Sequence, residues 1–125
     1  MDVSAGLFAI TLVVEDLEET KAFYARAFGQ EVAFEDADSA VFRVGATMVN
    51  LLRSTAAPTL IDPAPIGSGD GVRAVYTVQV DDVDGAAAQL QAAGVALLNG
   101  PMDRPWGPRT VSFRDPAGNV WELAR

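Results

Sequence analysis

The chain has 125 residues, half of them apolar and 21% charged, which is composition enough to bury a core. It holds no cysteine and no histidine, so disulfides, thiol nucleophiles, Ser-His-Asp triads and imidazole-ligated metals are excluded within it, and acid–base work falls to Asp, Glu, Lys, Tyr or water. Nine basic against seventeen acidic residues give a formal net charge of −8, a sign that argues against nucleic acid and membrane surfaces as partners and suits a cationic or neutral small molecule, unless it only keeps the protein in solution.

Residues 1–4, Met-Asp-Val-Ser, lack the basic stretch of a signal peptide, and no apolar run reaches spanning length, so a cytoplasmic address is expected. Residues 7–14 are apolar and β-branched, which predicts a buried strand. Asp16 then offers a helix N-cap with Glu19 three residues on. Leu17, Thr20, Tyr24, Ala27 and Phe28 recur at helical spacing, and Gly29 supplies the stop. Short strands are expected over 31–35, 40–44 and 47–52. The stretch 54–71 carries Pro58, Pro63, Pro65, Gly67, Gly69 and Gly71 and reads as a loop acting as a lid, a crossover to a partner or a plain linker. Its 67–71 segment neither follows a strand nor opens a helix, which argues against a phosphate loop.

The same programme then restarts. A strand is predicted over 72–80, and a helix capped by Asp82 presents Val83, Ala86, Ala87, Leu90 and Ala93 before Gly94. Strands are expected over 96–98, 109–114 and 120–123, the last two joined by a turn at 115–119 in which Pro116 and Gly118 set the dihedrals. Thr11-Leu-Val-Val-Glu-Asp-Leu17 is echoed by Thr77-Val-Gln-Val-Asp-Asp-Val83, and Val49-Asn-Leu51 by Trp121-Glu-Leu123. The economical description is α+β: two tandem βαβββ modules, about 6–53 and 72–125, in one domain whose mixed sheet curls around a cleft with helices on its outer face.

Alternation assigns the two faces of that sheet. Leu12, Val14, Val49, Leu51, Val111, Phe113, Trp121 and Leu123 fall on the helix side. The opposite face mixes Thr11, Asn50, Thr77, Gln79, Thr110, Ser112 and Glu122 with Met48, Leu52, Val75 and Val120. Apolar walls with a few convergent polar groups describe a small-molecule cleft, the alternative being an ordinary half-solvated sheet.

The residues at 14–24, Val-Glu-Asp-Leu-Glu-Glu-Thr-Lys-Ala-Phe-Tyr, with Phe28-Gly29, resemble the first module of the vicinal oxygen chelate superfamily. Arg104-Pro-Trp-Gly107, then Phe113-Arg-Asp-Pro-Ala-Gly-Asn119 and Glu122-Leu123, resemble the end of its bleomycin-resistance proteins. The superfamily's enzymes, among them glyoxalase I and extradiol dioxygenases, hold a divalent metal at positions that match Ala9, Asn50, Val75 and Glu122 here. Only Glu122 is a strong ligand, so the resemblance implies a metal-free cleft and no cofactor.

Bleomycin-resistance members sequester a drug without converting it, and that role is the expectation here. The ligand set is Thr11, Met48, Asn50, Leu52, Val75, Thr77, Gln79, Trp106, Arg109, Ser112 and Glu122. Trp106 would stack on a planar ligand or else seal the core beside Pro105. Arg109 would meet a ligand carboxylate or else surface acids. Glu122 would anchor a polar group or else bond across to Asn50 or Thr77. The alternative function is a glyoxalase-type lyase or isomerase with Glu122 as base, using no metal or a weakly held one. A homodimer is the expected assembly.

Overall fold

The computed structural model describes residues 6–68 and 70–125; the reading of residues 1–4, and Gly69 of the glycine-rich stretch, lie outside them. The elements run β1 (Ala9–Val14), α1 (Leu17–Phe28), β2 (Phe34–Glu35), β3 (Ser39–Val44), β4 (Thr47–Arg53), α2 (Pro58–Ile61), β5 (Val75–Gln79), α3 (Val83–Ala92), β6 (Leu97–Asp103), β7 (Arg109–Arg114) and β8 (Val120–Ala124). They fall into two units, 6–25 with 29–67, and 26–28 with 68–125. Each carries an open four-stranded mixed sheet of identical topology, ordered β1-β4-β3-β2 in one and β5-β8-β7-β6 in the other. In both, the first strand runs parallel to the last and the remaining pairs are antiparallel. The duplicated pattern in the sequence is thus two βαβββ modules.

The helices start and stop where their capping chemistry places them. Asp16 accepts from the Glu19 amide at 3.0 Å, and Asp82 from the Gly85 amide at 3.0 Å. Gly29 closes α1 at φ 61°, a left-handed conformation that costs glycine nothing. In the first unit Leu12, Val14, Leu17, Tyr24, Ala40, Phe42, Val49 and Leu51 are buried, with the Tyr24 and Phe42 rings 6.0 Å apart. In the second, α3 packs on β6, β7 and β8. Trp121 is buried between Phe28, at 5.3 Å, and Tyr76, at 5.2 Å.

Several expectations are corrected. The strand expected over 31–35 shrinks to Phe34–Glu35, and that over 72–80 to Val75–Gln79. The strand expected over 96–98 extends through Gly100 and Pro101 to Asp103. Pro101 is tolerated because β6 is the edge of its sheet and is irregular there, its register shifting on both sides of Asn99. The loop 54–71 holds a short helix opened by Pro58 at its first turn. On β7 and β8 burial does not follow the alternation of faces: Thr110, Ser112, Val120 and Ala124 are buried along with Val111, Phe113, Trp121 and Leu123. These are the two central strands of their sheet, covered on both faces.

Candidate functional site

In the first unit, the sheet face turned away from Leu12, Val49 and Leu51 opens into a groove of about 420 Å³. Asn50 and Leu52 of β4 line it, joined by Asp36 and Asp38 from the β2–β3 turn, by Ser39 at the start of β3, and by Ala56, Thr59 and Leu60 in and around α2. The groove therefore has an acidic rim and an apolar wall. Asp36 is fixed by its Oδ1, which accepts from the amides of Asp38 and Ser39, each at 2.9 Å, and from the Ser39 hydroxyl at 3.0 Å. The Asp38 amide first, then the Ser39 hydroxyl, hold its carboxyl below the usual carboxylate range, so it is anionic at neutral pH. Asp38 lies 4.0 Å from Arg53, a loose pair.

Asn50 is the unusual lining residue. Its Nδ2 donates to the Thr11 hydroxyl over a long 3.4 Å, while its Oδ1 is buried without a partner. Turning the amide over would only exchange which pole is left unsatisfied. A buried acceptor in that state costs stability, so this amide is poorly explained by packing alone.

In the second unit the Thr77 hydroxyl donates to Glu122 Oε1 at 3.0 Å, so of the two cross-strand partners considered for Glu122 it has Thr77. Val75, Thr77 and Gln79 are exposed on β5. Gln79 also borders a second groove, of about 450 Å³, with Val80, Asp81, Ala124 and Arg125. Thr11 and Met48 stand on the groove side of the first sheet outside the groove lining.

Two residues of the expected ligand set stand in other surroundings than the exposed ones. Ser112 is buried at 4% exposure, because β7 is covered on both faces. Arg109 is engaged within its own unit: Nε and Nη2 reach the two Asp84 oxygens at 2.9 Å each, and Nη1 reaches Asp103 at 3.1 Å. Its guanidinium is thereby held strongly in the charged form, and Asp84 is held below the usual carboxylate range by it. Trp106, by contrast, is 71% exposed, which removes the core-sealing alternative. The turn chemistry at 115–119 is as expected, with Asp115 Oδ1 accepting from the amides of Ala117 and Asn119 at 2.9 and 2.8 Å.

A family model for the Glyoxalase/Bleomycin resistance protein/Dioxygenase superfamily matches residues 6–123. The chain belongs to this superfamily. Its fold is shared with a glyoxalase/bleomycin resistance protein/dioxygenase from Nocardioides, at TM-score 0.85 and 23% identity over 99% of this chain and 85% of that one. A glyoxalase-related enzyme from Fulvimarina pelagi gives TM-score 0.81 and 22% identity over 96% and 87%. A lactoylglutathione lyase from Agrobacterium tumefaciens gives TM-score 0.75 and 25% identity over 96% and 92%. No protein of curated function matches the chain. Among the described residues no helix is long and apolar enough to cross a membrane.

The superfamily's metal does not fit the donors present. Of the positions the resemblance assigns to the metal, Ala9 and Val75 bring no donor atom, Asn50 brings a neutral amide, and Glu122 alone brings a carboxylate. Among the described residues no three Asp or Glu side chains gather closely enough to hold an ion. The groove residues Asp36, Asp38, Ser39, Ala56, Thr59 and Leu60 escape sequence reasoning, because they come from a turn and a loop whose folding over β4 is tertiary. The one local signal is the Asp36-Ala37-Asp38-Ser39 turn chemistry.

Proposed function

We propose that this chain binds a small organic molecule, cationic or neutral, in the groove of its first unit and holds it without converting it, as an antibiotic-sequestering protein would. The observation that carries the reading is the groove itself: apolar Leu52 and Leu60 beside a fixed, ionised Asp36, with the unsatisfied amide of Asn50 in its lining. The second unit offers candidate contacts of its own, separate from that groove: Trp106 an exposed stacking surface, Val75 an apolar side chain, and Thr77, Gln79 and Glu122 polar groups. Exposed Phe8 and Phe34 are apolar side chains that a second copy would cover, so a homodimer is part of the proposal.

Three probes of one shape test the groove: phenethylammonium, 2-phenylethanol and phenylacetate, titrated against the full chain while the methyl signals of Leu52 and Leu60 are followed by NMR. The expected order of affinity is cation first, alcohol second, carboxylate last. The proposal fails if the carboxylate binds best or if no probe moves those methyls. It also fails if the purified protein shows turnover that EDTA abolishes.

A further inference from the structure

The second unit holds an arginine that is fixed in place by neutral partners beside an open aromatic ring. Arg104 is half-buried at the end of β6, and its backbone closes a tight loop: its amide donates to Pro108 O at 2.8 Å, and its carbonyl accepts from Gly107 at 3.0 Å. Its side chain is pinned at two points, Nε donating to the Thr110 hydroxyl at 2.9 Å and Nη2 to Asn99 Oδ1 at 3.0 Å. Both acceptors are neutral. The adjacent carboxylate, Asp103, is committed to Arg109 at 3.1 Å. Among the described residues no carboxylate lies within ion-pair distance of Arg104; other arginines share that, but Arg104 is the one held by two side-chain hydrogen bonds beside an exposed indole. The guanidinium instead lies over the Trp106 ring, 5.5 Å from its centroid, while that indole stays 71% exposed.

A fixed guanidinium with its charge unpaired, beside an open aromatic ring, has the two parts that recognise a flat anion. The arginine offers its remaining N–H donors to an oxyanion at no further cost in side-chain order, and the indole offers a surface for the attached ring. We propose that Arg104 and Trp106 together take an aromatic carboxylate, its ring on the indole and its oxygens on the guanidinium. This rests on reading Trp106 as a ligand platform. It gives this part of the second unit a sign opposite to that of the acidic groove and of the chain's net charge.

The test uses the full chain and two probes, 2-naphthoate and the neutral 2-naphthamide, followed at the indole N–H signals of Trp106 and the buried Trp121. The carboxylate is expected to bind about tenfold more tightly than the amide and to shift Trp106 far more than Trp121. Arg104→Met should bring that ratio to about one. Because Arg104→Met also frees the loop, Asn99→Asp is the sharper variant: it places a carboxylate at the same Nη2, keeps the arginine in position and cancels its charge. It too should abolish the preference while the Trp121 signal stays native. Equal affinity for the two probes in the wild type overturns the inference while leaving a stacking role for Trp106. A preference that survives Asn99→Asp overturns it as well. Neither result touches the groove of the first unit, which the phenethyl probes test separately.

Iodide and caesium quenching of tryptophan fluorescence reads the same field without a ligand. The ratio of the iodide to the caesium quenching constant of the exposed indole should fall from the wild type to Asn99→Asp; an unchanged ratio contradicts the proposal.

Discussion

Asn50 is the residue that separates packing from function. If its amide is kept for a ligand, Asn50→Leu removes an unsatisfied buried acceptor and should raise stability by about 1–3 kcal/mol in chemical denaturation. The same variant should bind phenethylammonium more weakly; a variant that is less stable and binds equally well would make Asn50 an ordinary structural residue. Arg109 carries a second prediction. Asp84 is held below its ordinary range in the fold, so its pairing stabilises fully at neutral pH and is lost as pH falls through its lowered midpoint. Carboxyl NMR should find that midpoint below that of a free aspartate, and Arg109→Gln should return it to the ordinary value. Both side chains are exposed, so the effect on overall stability should be small. Sequence reading found both residues but not their partners: Asp84 lies 25 residues from Arg109, and only the packing of α3 against β7 brings them together.

At the scale of elements, what was readable is what local periodicity and capping encode. Asp16, Asp82 and Gly29 mark helix ends by chemistry within three or four residues, and Asp16→Ala should cost about 1 kcal/mol of stability through loss of the cap. The second half of β6 and the short α2 were not readable, because Pro and Gly signal a break locally and only position in the sheet overrides them. Gly100 is the clearest case. It sits at φ 83°, where a Cβ would collide with the carbonyl oxygen of Thr110 on the neighbouring strand. Gly100→Ala should therefore loosen β6 from β7, seen as faster amide exchange along 97–103 than along β8. Unchanged exchange there would mean that the two strands can separate slightly without cost. The mixed face of the sheet was half-legible: on β4 it is open, where Asn50 and Leu52 reach the groove, while on β7 side chains of both faces are buried, which alternation alone does not tell.

For the whole molecule, the repeat written into the sequence gives two units of one topology, and their chemistry has diverged. The first keeps an acidic, partly apolar groove; the second keeps a buried aromatic core, a Thr77–Glu122 pair and an arginine fixed beside an open aromatic ring. The exposed apolar side chains predict a dimer, to be read from the mass in solution by light scattering, with Phe8→Glu shifting it toward the monomer. A wild-type monomer at all concentrations would remove the assembly from the account. The central claim is that the chain retains an organic molecule and needs no metal to do so. Native mass spectrometry of the intact protein, before and after EDTA, tests it most directly. The account predicts an organic adduct that survives the chelator and is lost in Leu60→Glu; a stoichiometric divalent cation, stripped by EDTA together with turnover, would contradict it.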